Sequence, residues 1–312
     1  MQYLGEIISL VVAILGTATA LFANEASRRI GAMSTNLFRM VLSSILLAGL
    51  LWIAIGHPYP AFADGKTWLW MGLSALVGYV FGDFCLFNSY VVIGARFGQL
   101  FMTLAPVFAA FAGWILLGET LSWKSVLAMG VTLSGIALSI LSRSQDGHHL
   151  TLRLPLKGVL LGIGAGMGQG VGLVLSKIGM QHYEAALPAT APAAFDWAMP
   201  FASTMIRSLT GAVGFFVWMA LLRQLPQLRA AVHNRRGMQF TGLTTLFGPF
   251  IGVSLSLMAV QYARAGIAST LMALTPVLII LPYSMIYKQK ITPKEILGVT
   301  ISMLGVALFF LL

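Results

Sequence analysis

The sequence predicts an all-α membrane protein, ten transmembrane helices arranged as two inverted five-helix repeats. Three observations carry that reading. Hydrophobic residues make up 58% of the 312-residue chain and charged residues only 9%, against roughly 45–50% and about 25% in a soluble domain. Ten apolar runs are long enough to span a bilayer. The second half of the chain repeats the first at an offset of 170 residues.

Composition sets the class. A mean hydropathy of +0.88 with so few charges leaves too little polar surface to solvate a globule. This excludes a soluble enzyme, a nucleic-acid-binding domain and a disordered chain. The formal charge of +10 would point to nucleic acid in a soluble protein. In a membrane protein, basic residues gather in cytoplasmic loops, so no nucleic-acid partner is expected. The partners expected are membrane lipid and a small-molecule substrate, and ten helices can enclose a cavity as a monomer. The single cysteine, Cys85, excludes an intrachain disulfide and a multi-cysteine metal site. No cofactor or metal is expected.

The runs fall at 4–24, 36–56, 68–93, 97–117, 122–141, 157–177, 200–222, 239–262, 266–287 and 293–312. A spanning helix needs about 20 apolar residues, whereas barrel strands would be about 10 residues with strict alternation. The first run has span length and no basic residue ahead of it, so it reads as a span and not as a cleaved leader. Short breaks such as Gly94-Ala95-Arg96 and Lys288-Gln289-Lys290 separate most runs. A longer loop containing Pro188, Pro192 and Pro200 separates the sixth from the seventh. The organisation expected is a first repeat at 1–142, a cytoplasmic linker at 143–156 and a second repeat at 157–312.

Orientation follows from counting Lys and Arg by side. Thirteen of the nineteen lie in odd-numbered loops, four in even-numbered loops, and Arg39 and Arg207 lie inside runs. The excess places the odd-numbered loops in the cytoplasm and both termini outside the cell (inner) membrane.

The repeat is faint in identity and clear in position. Residues 81–141 laid on 251–311 match at 12 of 61 positions without a gap; Pro106 falls on Pro276, Val107 on Val277, Lys124 on Lys294 and Gly135 on Gly305. Upstream, Arg39 matches Arg207 at an offset of 168. A unit with an odd number of spans must invert when repeated. Inverted repeats are common in secondary transporters, with the substrate near the midplane between the halves.

Several of these segments resemble a known family. The run Gly94-Ala95-Arg96-Phe97-Gly98-Gln99-Leu100-Phe101-Met102-Thr103-Leu104-Ala105-Pro106-Val107-Phe108 resembles the fourth span of the EamA family, within the drug/metabolite transporter superfamily. Leu117-Gly118-Glu119-Thr120-Leu121 is similar to that family's hairpin, and Gly135-Ile136-Ala137-Leu138 to the end of its fifth span. Leu274-Thr275-Pro276-Val277 and Leu304-Gly305-Val306-Ala307-Leu308 repeat the pattern, which departs where Gln289 replaces the hairpin glutamate. The resemblance implies ten helices in two inverted repeats. Helices 1–4 and 6–9 would surround a central cavity, with 5 and 10 packed outside it. It implies export or exchange of amino acids, metabolites or drugs. Members of the superfamily occur in both orientations.

Charged residues inside spans cost roughly 2.5–3.5 kcal/mol on insertion scales, so each calls for a reason. Asp83 lies deepest. It is suited to proton coupling or to holding a substrate amine, and equally to an ion pair that locks helices. Arg39 lies nearer a membrane face, where it can snorkel; Arg39 and Arg207 are both suited to binding a carboxylate or phosphate. Asn88 and Gln169 are polar side chains at similar depth, able to face a cavity or to bond neighbouring helices. Tyr79 and Trp218 are aromatics placed to line a cavity. Glu119 reads as a turn or capping residue. Gly164, Gly168 and Gly172 form one of two glycine stripes on the sixth span that let neighbours approach closely. Pro106 and Pro276 are placed for paired bends beside a cavity.

The expected function is a secondary transporter of small metabolites working by alternating access, in the export direction. An exchanger of phosphorylated or nucleotide-linked solutes is the alternative, and needs more basic residues than the two arginines in the spans. A membrane enzyme finds no HExxH or GxSxG motif, and no P-loop is present to hydrolyse ATP. A passive channel is the remaining class.

Overall fold

In a bilayer a spanning segment must satisfy its own backbone hydrogen bonds, and each apolar run that can be followed here does so as helix. The computed structural model describes residues 3–141, 155–278 and 293–311. The first spans are α1 (Leu4–Ile30) and α2 (Ala32–Ile55), joined through Gly31 at φ +84°. The third is a composite of α3 (Gly65–Ala75), a π-helical segment π1 (Leu76–Asp83) and the first part of α4 (Phe84–Met102). Asp64 starts it by accepting a hydrogen bond from the Thr67 backbone N–H at 2.8 Å. Helices α5 (Ala105–Leu117) and α6 (Trp123–Leu141) complete the first half. The second half contains α7 (Leu156–Ala186), α8 (Phe195–Leu221) and a short α9 (Pro226–His233). Its eighth span is α10 (Arg235–Thr245), π2 (Leu246–Val253) and α11 (Ser254–Tyr262). Then come α12 (Ala265–Met272), α13 (Thr275–Leu278) and α14 (Pro293–Leu311).

Six of these helical paths are long and apolar enough to cross a membrane, and three more apolar helices are shorter. The ninth run is followed through α12 and α13, and its remainder lies outside the described residues, as does most of the 143–156 linker.

Hydrogen bonding stays helical across Gly94-Ala95-Arg96, where the sequence places a break, yet the chain reverses there. A Cβ on Gly98 would lie 2.6 Å from both Ser89 Oγ and the Tyr90 ring. In a straight helix those positions are about 12–14 Å apart. Helix α7 reports the same reversal. Along it, Gly164, Gly168 and Gly172 meet Cys85, Gly82 and Gly78 in descending order, while Gly166 and Gly170 meet Phe101 and Ala105 in ascending order.

Several boundaries differ from the sequence reading, most of all at α7, α8 and α9. Helix α7 runs to Ala186 and not to 177, because Ile178, Met180 and Tyr183 continue its buried face. Its 31 residues span about 46 Å, longer than the ~30 Å hydrocarbon core, and Lys177 therefore sits within a helix and not in a loop. Pro200 lies inside α8, which starts at Phe195. The stretch around Arg229, read as loop, forms α9.

The halves correspond closely. The bounds of α3 and α10, of π1 and π2, and of α6 and α14 each differ by 170 at both ends. The π segments share Leu76, Gly78 and Gly82 with Leu246, Gly248 and Gly252. A π turn takes one more residue than an α turn and bonds i to i−5. That geometry aims the Val77 carbonyl at the Cβ site of Gly82, 3.2 Å away, and the Phe247 carbonyl, closer still, at that of Gly252, so a side chain is crowded at the first position and excluded without a backbone shift at the second.

Contacts between corresponding elements are reciprocal. Gly135 packs on Ser302 and Gly305 on Thr132, so α6 and α14 cross antiparallel at equivalent residues. Ser43 bonds Ser208 at 3.2 Å, while Met40 approaches the Cβ site of Gly211.

The tightest junction is α7 against π1. A Cβ on Gly168 would lie 2.6 Å from Gly82 Cα, and one on Gly172 would lie 2.8 Å from Gly78 Cα. Gly49 and Gly130 have nothing within 4 Å. Gly168→Ala is therefore expected to lower the thermal unfolding midpoint of the purified protein by several degrees. Gly49→Ala and Gly130→Ala should leave it unchanged or raise it, since alanine is favoured over glycine by up to about 1 kcal/mol in a helix. Equal tolerance at all three positions would contradict the packing described.

Candidate functional site

The glycine junction brings together the polar side chains that lie within the spans. With the α7 backbone against π1, Gln169 faces the end of the π segment. Its Nε2 donates to Asp83 Oδ1 at 2.7 Å and to the Gly78 carbonyl at 3.2 Å. The other carboxylate oxygen of Asp83 accepts from Arg39 of α2. Asp83 thus joins three spans. Arg39 does not snorkel to a membrane face. It is 5% exposed, ion-paired with Asp83, and its guanidinium lies 5.0 Å from the Phe87 ring centre.

Arg207 of α8 is equally buried, at 3% exposure. Its guanidinium lies 4.4 Å from the centre of the Tyr79 ring. Its Nε has no hydrogen-bond partner, nor has the Tyr79 hydroxyl. Among the described residues Arg207 makes no ion pair.

These groups line a cavity of about 250 Å³. Its walls come from spans one to four and six to nine, for example Val12, Arg39, Asp83, Met102, Gln169, Arg207, Pro249 and Met272, and among the described residues no lining residue belongs to α6 or α14. Of the residues singled out from sequence, Asp83, Arg39, Arg207, Gln169 and Tyr79 meet here. Asn88 does not: its amide turns back to the Phe84 carbonyl of its own helix at 2.7 Å. Trp218 stacks on Phe84 with ring centres 4.4 Å apart and is not in the lining.

Pro106 is the second residue of α5, directly after a break at 103–104, and Pro276 is the second residue of α13, after a break at 273–274. Proline at the first helical turn needs no donor, so it fixes where each helix restarts. Ala105 and Thr275, next to them, line the cavity. Gly164, Gly168 and Gly172 pack on Cys85, Gly82 and Gly78, and the alternate stripe, Gly162, Gly166 and Gly170, packs on the segment from Phe101 to Ala109. Both faces of α7 are thus in close contact.

A second polar group sits at the end of the molecule that carries the even-numbered loops. Lys177 Nζ donates to Glu119 Oε1 at 2.7 Å and to the Ala263 carbonyl at 2.9 Å. The Ala265 N–H, in the first turn of α12, donates to Glu119 Oε2 at 3.1 Å, and Arg264 donates to the Thr120 carbonyl. Glu119 therefore caps a helix in the other half of the chain. The sequence reading has a cap there but misses its partner, because Lys177 looks like a loop residue.

The fold and the cavity define a polytopic helical membrane protein that encloses charged side chains between its spans. The sequence profile of the EamA-like transporter family matches residues 3–141 and again 156–311. The chain belongs to that family, and is a membrane transporter of the drug/metabolite transporter superfamily. A solved structure titled only "Crystal structure of protein" shares the fold, with a TM-score of 0.71 and 15% identity, covering 100% of this chain and 97% of that one. No curated protein matches the chain.

Removing one partner of a buried ion pair leaves an uncompensated charge, at a cost of about 3–5 kcal/mol. Asp83→Asn and Arg39→Gln are each expected to lower the unfolding midpoint in nanodiscs markedly. The double variant should recover much of the loss. Losses that simply add would show that the two side chains are not energetically coupled.

Proposed function

We propose that this protein is a secondary transporter of small metabolites, amino acids or solutes of similar size, working by alternating access between two inverted repeats in the export direction. The observation that carries the reading is the cavity lined by Arg39, Asp83 and Arg207 and walled by both halves of the chain. Charges are placed in a membrane interior, at real cost, where a solute or ion must be met. The antiparallel crossing of α6 with α14 and the reciprocal contacts of α2 with α8 support the inverted arrangement, since a two-fold relation returns each contact with its members exchanged.

The ends of the cavity differ. Toward the odd-numbered loops its lining extends to Ala23 and Tyr90. Toward the even-numbered loops a hydrophobic cluster including Leu51, Met180, Tyr183, Phe195 and Val260 fills the space between spans. Tyr183 adds a hydrogen bond to the Ala61 carbonyl at 2.5 Å. The Glu119–Lys177 group ties the same end. With odd-numbered loops in the cytoplasm, this conformation faces inward, and transport requires that the cluster and the ion pair open. The position equivalent to Glu119 is Gln289, so the second copy lacks the carboxylate of this latch.

A cavity of about 250 Å³ is at or below the small end of ligand pockets, about 300–1,000 Å³. It fits a small metabolite better than a nucleotide-linked one. In proteoliposomes given a mixed pool of amino acids and phosphorylated sugars, mass spectrometry is expected to find saturable, counter-solute-accelerated movement of a small unphosphorylated solute. In a Cys85→Ser background, an impermeant maleimide should label a cysteine placed at Ala268 several-fold faster from the even-loop side when Glu119→Gln is added. No saturable flux above empty vesicles would defeat the transport mechanism, and unchanged labelling would defeat the latch.

A further inference from the structure

Arg39 and Arg207 occupy equivalent positions in the two halves, at an offset of 168, and both line the cavity. Their surroundings are not equivalent. Arg39 is paired with Asp83. At the repeat offset of 170 the counterpart of Asp83 is Val253, which also lines the cavity and carries no charge. The second copy thus supplies an arginine without its carboxylate. The Nε is unpartnered in both arginines, but Arg207 also has no carboxylate partner among the described residues, and the Tyr79 hydroxyl beside it is an unpartnered donor. Both side chains are at least 97% buried. The counterpart of Tyr79 is Pro249, so this pairing of guanidinium and phenol belongs to one side of the cavity.

Charge decides what the site takes. Two arginines and one aspartate leave the described lining at +1, in surroundings where an uncompensated charge is costly. A monoanion brings the total to zero. A phosphate monoester carries about −1.5 to −2 near neutral pH and overshoots. A zwitterion leaves the surplus in place, and its ammonium must compete for Asp83, whose oxygens already hold Arg39 and Gln169. A guanidinium is a planar fork that matches a carboxylate with two parallel bonds. The Tyr79 ring, its centre 4.4 Å from the guanidinium carbon, holds that fork by a cation–π contact. Elsewhere the lining is largely apolar, as at Leu86, Met102, Leu173 and Phe247.

From this we propose that Arg207 and Tyr79 form a carboxylate subsite, and that the solute carried is an organic monocarboxylate with an apolar body and no second charge. This rests on the reading of the cavity as the transport site and narrows it. Arg207 supplies the bidentate contact, the Tyr79 hydroxyl donates a third hydrogen bond, and the Arg39–Asp83 pair remains intact as the neutral floor of the site.

Calorimetric titration of the whole protein in nanodiscs tests it, with four probes of one skeleton: 3-phenylpropionate, 3-phenylpropionamide, L-phenylalanine and 3-phenylpropyl phosphate. The acid should bind at least ~10-fold more tightly than each of the others, as expected when a charged hydrogen-bonded contact is gained. Arg207→Gln should bring the ratio of acid to amide affinity to about one, Arg207→Lys should retain part of it, and Tyr79→Phe should reduce it a few-fold. Thermal unfolding separates recognition from structure. Without probe, Arg207→Gln should unfold at or above the parent temperature, since it removes an unpaired buried charge, while the acid no longer raises its midpoint. An arginine needed only for packing would lower the probe-free midpoint. Equal binding of acid and amide, preference for the zwitterion or the phosphate, a ratio unaltered by Arg207→Gln, or no binding of the acid below about 1 mM overturns the proposal. Binding is read without flux. Acid-selective binding by a protein that moves nothing in proteoliposomes would refute the transport mechanism alone, and saturable flux of a zwitterion would refute this subsite alone.

Discussion

Gly168 and Gly172 let the backbone of α7 approach that of π1 more closely than any side chain would allow, and the cavity depends on that approach. It places Gln169 against Asp83 and the carbonyl of Gly78. It also holds the widened π turn in place, since a carbonyl displaced from α-helical bonding inside a membrane needs another donor. The glycines act on one another across the junction: Gly82 fits the Val77 carbonyl on its own helix and Gly168 on the next. Small residues serve this purpose in bilayers because lipid tails are as apolar as leucine, so helices associate through close packing and hydrogen bonds and not by escaping water.

Charge is then distributed unevenly over a nearly symmetric frame. The frame repeats arginine with arginine, π segment with π segment, proline with proline. The acidic residues do not repeat: Asp83 is matched by Val253 and Glu119 by Gln289. Each acid belongs to the first copy, and each is bonded to the second, Asp83 through Gln169 and Glu119 through Lys177 and Ala265. Two copies of an apolar scaffold give a cavity. The unmatched carboxylates give its two ends and two walls different chemistry.

Much of this was legible in the sequence. Composition and run length identified a helical membrane protein, because the bilayer leaves so few alternatives. The three charged residues well inside the runs do gather at one place, since burial cost alone selects them. The two glycine stripes of the sixth span indicated two close neighbours, and two are found. Other features were hidden for physical reasons. Lys177 was misplaced because hydropathy falls at a lysine even when the helix continues and the amine finds Glu119. Depth leaves Asn88 free to face a cavity or to bond a neighbouring helix, but it does not tell which way a side chain turns, and the amide bonds its own helix. The π segments do carry a sequence signal, Leu76, Gly78 and Gly82 recurring as Leu246, Gly248 and Gly252. Periodicity counted at 3.6 residues per turn does not register a segment wound differently.

The π segment has a bearing on how relatives of this chain diverge. Each π turn holds one residue more than an α turn, so losing a single codon within Leu76–Asp83 would relax it to ordinary helix. The span would remain long and apolar enough to insert. Because the residue lost is the one the wide turn absorbs, everything beyond the deletion would keep its face, and the change would be confined to the turn itself and to the Gly78 carbonyl that Gln169 reaches. A one-residue gap at this point in an alignment would therefore mark a lineage that has closed the wide turn while keeping both its carboxylate face and its hydropathy profile.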